Sequence, residues 1–363
     1  MSSPLPLAGA LPARPVTPVA PVAAPHRRVT AALLLALAAT LAGAVQLGAV
    51  PVSASDWWAP VAGTPMTGGA FVLWELRLPR ALLALAVGAA LGLAGALAQG
   101  LFRNPLADPG LLGVTSGAVC AAALVLTVFA AAAAGVPPAW RVWVLPLASF
   151  GGALAVCFVL ERLARWLTPG SVAGLLLTGL ALNALTMAVV GLCTYLATDE
   201  QLRSLTFWTL GSVAGATWPV VGVLALALAA ALWQSRRLAH ALNALALGEA
   251  AAAHVGEDVA GLRWRLIVIV AVLCALAVAW CGLIGFIGLM APHLVRGAAG
   301  ADQRRLLPLA MLAGALLLLL ADTAARTVAV PAEVPVGIFT ALIGAPLFLL
   351  MLRGLARQQG GHA

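Results

Sequence analysis

The hydrophobic positions of this chain neither alternate nor form one-sided stripes; they fill whole blocks. Residues 81–101, 118–134 and 306–320 contain no charged residue. Blocks of that length cross a hydrocarbon layer of about 30 Å as a helix. A membrane β-barrel would need short segments of alternating polarity, and none is present. Placing one helix on each block predicts ten spans, at 29–50, 81–101, 113–134, 143–163, 172–198, 220–234, 266–281, 286–296, 306–328 and 336–352. The eighth is short for a spanning helix. The expected fold class is an all-α polytopic membrane protein with about ten transmembrane helices per subunit.

Composition agrees: 63% of the 363 residues are hydrophobic and 9% are charged. A soluble domain of this length would carry far more polar surface. Residues 1–28 are rich in Pro and Ala without a helical period and are expected to be disordered. Residues 29–357 then form a single transmembrane domain, and 358–363 a short C-terminal tail. Val52-Ser53-Ala54 loosely resembles a signal-peptidase site. The apolar run before it exceeds the roughly 7–15 residues of a signal sequence, so a retained first helix is the favoured reading.

Charge sets the orientation. All twenty basic residues are arginine. With the N-terminus inside, fifteen of them fall on the cytoplasmic side, and only Arg77, Arg80, Arg141, Arg203 and Arg326 fall outside. That asymmetry is the positive-inside pattern, with both termini cytoplasmic. Trp57, Trp58, Trp74, Trp140, Trp143 and Trp218 fall near the outer boundaries, as interfacial anchors do.

The missing lysine also excludes a chemistry. A P-loop needs a lysine to reach the terminal phosphates, and no such motif exists here. Any ATP-driven work must come from another subunit. No zinc motif, nucleophile elbow or phosphate-binding glycine loop is present, so no catalytic residue is assigned and an enzyme is disfavoured. The five cysteines lie in apolar blocks without a C-x-x-C pair and read as core residues; no metal site and no permanently bound cofactor are expected.

Five groups of residues stand out. Residues 235–265 form a polar cytoplasmic interruption that remains helix-prone and is broken at Gly248 and Gly256. Two short helices there could dock into a soluble partner, or could be a plain amphipathic connector. Arg77, Arg80 and Arg326 run against the positive-inside trend. They could snorkel to headgroups or receive carboxylates of an external protein. Asp322 is an intramembrane acid with Arg326 one turn later, which suggests either a structural ion pair or a transport role. His293, next to Pro292, reads as a helix-terminal hydrogen-bonding residue. Asn183, Thr186, Met187 and Tyr195 in the fifth span could line a pathway or glue helices together.

Several motifs in order carry a resemblance. They are Arg77-Leu78-Pro79-Arg80, Gly88-Ala89-Ala90-Leu91-Gly92-Leu93-Ala94-Gly95, and Asn104-Pro105-Leu106-Ala107-Asp108-Pro109-Gly110. Further along come Leu247-Gly248-Glu249, Gly285-Phe286-Ile287-Gly288-Leu289 with Pro292-His293, Ala321-Asp322, and Glu333-Val334-Pro335-Val336-Gly337 before Gly344-Ala345-Pro346. Over roughly residues 65–355 the chain resembles the FecCD-type permeases, which import iron-siderophores, haem and cobalamin. The resemblance implies a type II ABC importer permease fold in a bacterial inner membrane. It implies a homodimer with a path at its axis, two cytoplasmic ATPase subunits that bind the ATP, and one periplasmic binding protein. The lipid bilayer is the remaining partner, and no nucleic acid is expected.

By the same resemblance, Leu247, Gly248, Glu249 and Gly256 match the family's coupling helices. Arg77, Arg80 and Arg326 match positions that meet glutamates of the binding protein. The fifth span and the short helix after it match the path-lining and gating region. The run from Asp199 to Ser212 looks most like the haem permeases, which makes haem the expected cargo and a ferric siderophore or cobalamin the alternative. No span holds a histidine pair for axial ligation, so the path would pass haem with low affinity. A proton-coupled secondary transporter is the rival mechanism, with Asp322 and Glu161 as its only titratable candidates.

Overall fold

The computed structural model describes residues 26–62, 68–329 and 332–360, and among them the chain is helical with no strand. Ten helices carry the fold: α1 (His26–Gln46), α2 (Leu78–Phe102), α3 (Val114–Leu126), α4 (Pro138–Leu167), α5 (Val172–Leu196), α6 (Trp218–Ala246), α7 (Val259–Cys281), α8 (Ile287–Ala299), α9 (Gln303–Thr327) and α10 (Val336–Gly360). Eight are long and apolar enough to span a bilayer. α3 and α8 have 13 residues each, about 20 Å of helix, and cannot span alone.

α2 is the central post. It continues without a break from Gly68–Phe71 through a π-helical turn, Val72–Arg77, and 89% of its apolar window is buried. Lipid offers no hydrophobic drive for helices to associate, so close packing of small residues must hold them. The sequence supplies them: a Cβ on Gly88 would strike the Gly314 carbonyl, and one on Gly92 the Ala310 carbonyl, both of α9. A Cβ on Gly95 would strike the Gly288 carbonyl of α8. Three backbones therefore meet at one seam.

The two short helices follow irregular stretches. Residues 103–113 precede α3 and include left-handed Arg103 and Gly113; residues 282–286 precede α8 and include left-handed Gly282 and Phe286. Non-helical backbone at membrane depth must be buried in protein. Gly288 duly sits against Pro109 and the Leu91 carbonyl, and the Asp108 side chain accepts from Gly110 N at 2.7 Å.

Each expected span has its helix, with shifted ends. α1 begins at His26, so His26, Arg27 and Arg28 belong to a helix rather than to a tail, while residues 1–25 lie outside the described residues. At the other end α10 reaches Gly360, past the expected start of the tail at 358, and 361–363 lie outside the described residues. The third span breaks after Leu126 and resumes as the turn Ala130–Ala134. α6 extends to Ala246 and absorbs the first of the two predicted cytoplasmic helices, because nothing between Gln234 and Ala246 stops it. Glu249–His254 alone remains a separate helix.

The outer tryptophans do more than mark an interface. Trp57 and Trp74 meet edge-on at 6.4 Å, and the Trp218 indole donates to the Trp74 carbonyl at 3.0 Å. Trp143 packs edge-on against Trp280 at 5.9 Å. Trp58 and Trp140 stay exposed.

Gly92→Leu should cost the fold about 2 kcal/mol or more by forcing α2 from α9, whereas Gly151→Ala, which meets nothing within 4 Å, should be neutral. Thermal unfolding in detergent checks both; equal behaviour of the two variants would contradict this packing.

Candidate functional site

One end of the bundle gathers charges from distant parts of the chain: Arg80 lies 242 residues from Asp322 and 253 from Glu333. α1 ends with orphan carbonyls, as every helix does. Arg77, delivered by the π-helical turn, donates to Val45 O (3.1 Å), Gln46 O (3.0 Å) and Val50 O (2.6 Å). Arg326 donates to Leu47 O at 2.8 Å and also to Ala44 O. Two guanidinium groups thus cap one helix C-terminus, where the helix dipole favours cations.

Arg80 works differently. Its fork grips Asp322, with Nη2 to Oδ1 at 2.8 Å and Nε to both carboxylate oxygens at 3.1 and 3.2 Å. Its Nη1 reaches both Glu333 oxygens at 2.8 Å. The Arg326 Nε lies 3.9 Å from Asp322. Asp322 is buried, so its main partner is Arg80 on α2, not only the neighbour one turn away. The acid is therefore held in an ion pair with Arg80. A cleft of about 440 Å³ opens over Arg77, Arg80, Arg326 and Glu333.

This arrangement qualifies the expectation for the three arginines. The structure does bring Arg77, Arg80 and Arg326 together, yet each spends its donors inside the chain. Arg77 is buried. The exposed member is Glu333, whose side chain is 50% accessible. Sequence reading quoted Glu333 only as part of a motif; an acid three residues before a spanning helix was the available signal.

At the opposite end of the bundle, Gly248 (φ +121°) and Gly256 (φ +87°) bound the helix Glu249–His254. Leu247 and Val255 flank it and are 82% and 70% exposed. Glu249 ties this helix back to the bundle, accepting from Arg263 at 2.9 Å with Arg103 at 3.7 Å. Nearby, Asn243 at the end of α6 donates to Asp302 (2.8 Å) and accepts from Gln303 N (3.0 Å). The Asn243 amide, with Arg304 and Arg305, holds the Asp302 carboxyl below its ordinary range.

The fifth helix divides the remaining candidates. Asn183, Met187 and Tyr195 lie on its bare face. Thr186 is separated from them: it is buried, and its hydroxyl returns to the Leu182 and Asn183 carbonyls. His293 is half-buried and its Nδ1 has no hydrogen-bond partner among the described residues, so the expected helix-terminal bond is not made there. Glu161 is buried beside Arg165 one turn on, which leaves it paired. Among the described residues, no three His, Cys, Asp or Glu groups could hold a metal ion. Cys157, Cys193, Cys274 and Cys281 are buried and Cys120 partly so, all free thiols.

An all-helical bundle with eight helices long and apolar enough to cross a bilayer, an ion network at one end and a glycine-bounded short helix at the other defines a polytopic membrane protein. The FecCD transport family profile matches residues 33–354, and the chain belongs to that family of ABC importer permeases. It is 41% identical over 331 residues to the hemin transport system permease protein HmuU of Yersinia pestis, covering 91% of this chain and 96% of that protein. It is 39% identical to the vitamin B12 import system permease protein BtuC of Klebsiella pneumoniae, covering 85% and 90%. A solved structure described as an inward-facing conformation of a metal-chelate type ABC transporter superposes with a TM-score of 0.77 at 34% identity, covering 90% of this chain and 99% of that one.

Removing one partner of a buried ion pair strands the other, at about 3 kcal/mol or more. Asp322→Asn should therefore lower stability by about that amount, while Glu333→Gln at the exposed edge should cost less than about 1 kcal/mol. Thermal unfolding of the two variants gives the order directly; a larger loss for Glu333→Gln would refute the assignment.

Proposed function

We propose that this chain is the permease of a haem importer of a bacterial inner membrane, with both termini cytoplasmic. The observation that carries the transport mechanism is the hinged helix Glu249–His254 with Leu247 and Val255 bare beside it. Such a surface suits a groove on a soluble ATPase, which this lysine-free chain needs. Two copies pair through the bare faces of α5 and α10, so that Asn183, Met187 and Tyr195 line the path between them. Two ATPase subunits dock below and one binding protein above. Haem as cargo is supported by the similarity to the Yersinia hemin permease and by the run from Asp199 to Ser212, which forms a helix, Asp199–Thr209, with a Thr198/Gln201 capping box. The similarity to cobalamin permeases supports cobalamin as the second reading.

A proton-coupled mechanism is less well supported, since Asp322 is clamped by Arg80 and Glu161 by Arg165. At the outer face, the binding protein presents carboxylates to the arginine cluster. Arg77 and Arg326 are committed to α1, so Arg80 is the exchangeable cation, and an incoming carboxylate competes with half-exposed Glu333.

In liposomes containing the permease, its ATPase and its binding protein, hemin uptake should require ATP. Uptake that persists without ATP would sink the importer mechanism, and ATP-driven uptake of cobalamin but not hemin would reassign the cargo. Glu333→Gln should tighten docking of the binding protein about 5-fold by removing the internal competitor; surface plasmon resonance on the reconstituted permease measures this, and an unchanged affinity would rule out the exchange.

A further inference from the structure

Arg263 lies in the first turn of α7 and was not among the residues the motifs single out. Its Nη2 donates to Glu249 Oε1 at 2.9 Å, and its Nη1 donates to the Gly170 carbonyl at 3.2 Å. One rigid planar group therefore joins two segments that are 79 residues apart: the hinged cytoplasmic helix and the turn before α5.

Both segments are hinged where the strut meets them. Gly248 and Gly256 have positive φ and open space around them, so Glu249–His254 can tilt as a unit. Among the described residues, the polar side-chain ties of this helix to the rest of the bundle run through Glu249, to Arg263 and Arg103, and the small side chain of Ala252 is buried against it. Gly170 likewise has positive φ (+78°), and a Cβ there would meet nothing within 4 Å. It immediately precedes Ser171, the N-cap of α5, whose hydroxyl accepts from Gly174 N at 3.0 Å. A pull on the Gly170 carbonyl is thus applied at the cap of the helix with the bare face.

We propose that Arg263 is a positioning residue that carries the displacement of the helix Glu249–His254 to the start of α5. The inference rests on the importer reading, in which an ATPase moves that helix. A guanidinium can hold both acceptors at once because its donors leave in different directions within one plane; an ammonium of the same charge is a single point. The Arg263 side chain is 20% exposed and that of Glu249 36%, so the pair adds little to stability and its loss leaves the bundle assembled.

The test reads movement rather than cargo. Spin labels are placed in the reconstituted complex at Ala253→Cys, on the hinged helix, and at Ala173→Cys, on the first turn of α5. In the otherwise native complex, trapping ATP should shift both labels. In Arg263→Gln the first label should still respond, and the second should respond at least about 5-fold less. Arg263→Lys, whose donors all sit on one nitrogen in place of the two that reach Glu249 and Gly170, should behave the same way and stands in if the glutamine variant fails to assemble. The charge swap Glu249→Arg with Arg263→Glu restores the ion pair but cannot donate to the Gly170 carbonyl, so the two labels should remain unlinked. A full response of the α5 label in Arg263→Gln, or its recovery in the swap, overturns the strut. If neither label in the native complex responds to ATP, the importer reading itself fails, and the strut with it.

Discussion

Everything in this bundle depends on how closely α2 and α9 approach. In water a wide hydrophobic face would hold two helices together; in lipid that face has no advantage over an acyl chain, and van der Waals contact must supply the attraction. Gly88 and Gly92 against Ala310 and Gly314 bring the two backbones into contact, and Gly95 adds Gly288 of α8 to the same seam. Arg80 can reach Asp322 only because of that approach. The ion pair is therefore a consequence of the glycines, and it fixes the outer register of the two helices they join. Charges this deep are tolerable because each finds a partner: Asp322 takes two donors of Arg80, and the orphan carbonyls of α1 take those of Arg77 and Arg326.

Much of this was legible in the sequence, and the physics says why. Ten apolar blocks gave ten helices because block length and hydropathy are local properties that a bilayer reads directly. Asp322 and the three outer arginines stood out because charge in or beside apolar blocks is rare. Their pairing did not. Arg80 and Glu333 are separated by 253 residues, and no spacing rule links them. The Arg326–Asp322 pair could be read because it lies one turn apart on a single helix, yet it proves the looser contact at 3.9 Å. Thr186 shows what sequence leaves open: a polar residue in a spanning helix suggests a pathway or a helix contact, and in the structure its hydroxyl is satisfied by its own backbone. Helix ends were misjudged where nothing in the sequence marks a stop, as at α6, and were right where a positive-φ glycine does, as at Gly248 and Gly256.

The two ends of the molecule differ in what they can do. The outer network is mostly buried and multiply bonded, so breaking one contact leaves others in place; it suits a lock. The cytoplasmic contacts are half in water, few, and flanked by glycines with free space, so they are weak individually and can be remade. A transporter needs that division. Under the proposed function, a signal from a soluble ATPase enters through an element that moves easily, while the frame against which it moves must not yield.

α2 is that frame, and its ends show how. It begins at Leu78, with Arg80 in its first turn, and its C-cap is Arg103. Arg80 reaches Glu333 ahead of α10, and Arg103 lies 3.7 Å from Glu249 on the hinged cytoplasmic helix. The most buried helix of the chain thus carries an arginine at each end, and each faces a carboxylate on an element that is peripheral and partly exposed. Neither carboxylate is committed to α2 by burial, since both stand substantially in solvent. Under the proposed mechanism each exchanges its arginine for another partner without disturbing the glycine seam. A rigid post with exchangeable charge contacts at its two ends lets events at one membrane face be registered against the same reference as events at the other, which is the mechanical requirement for coupling them.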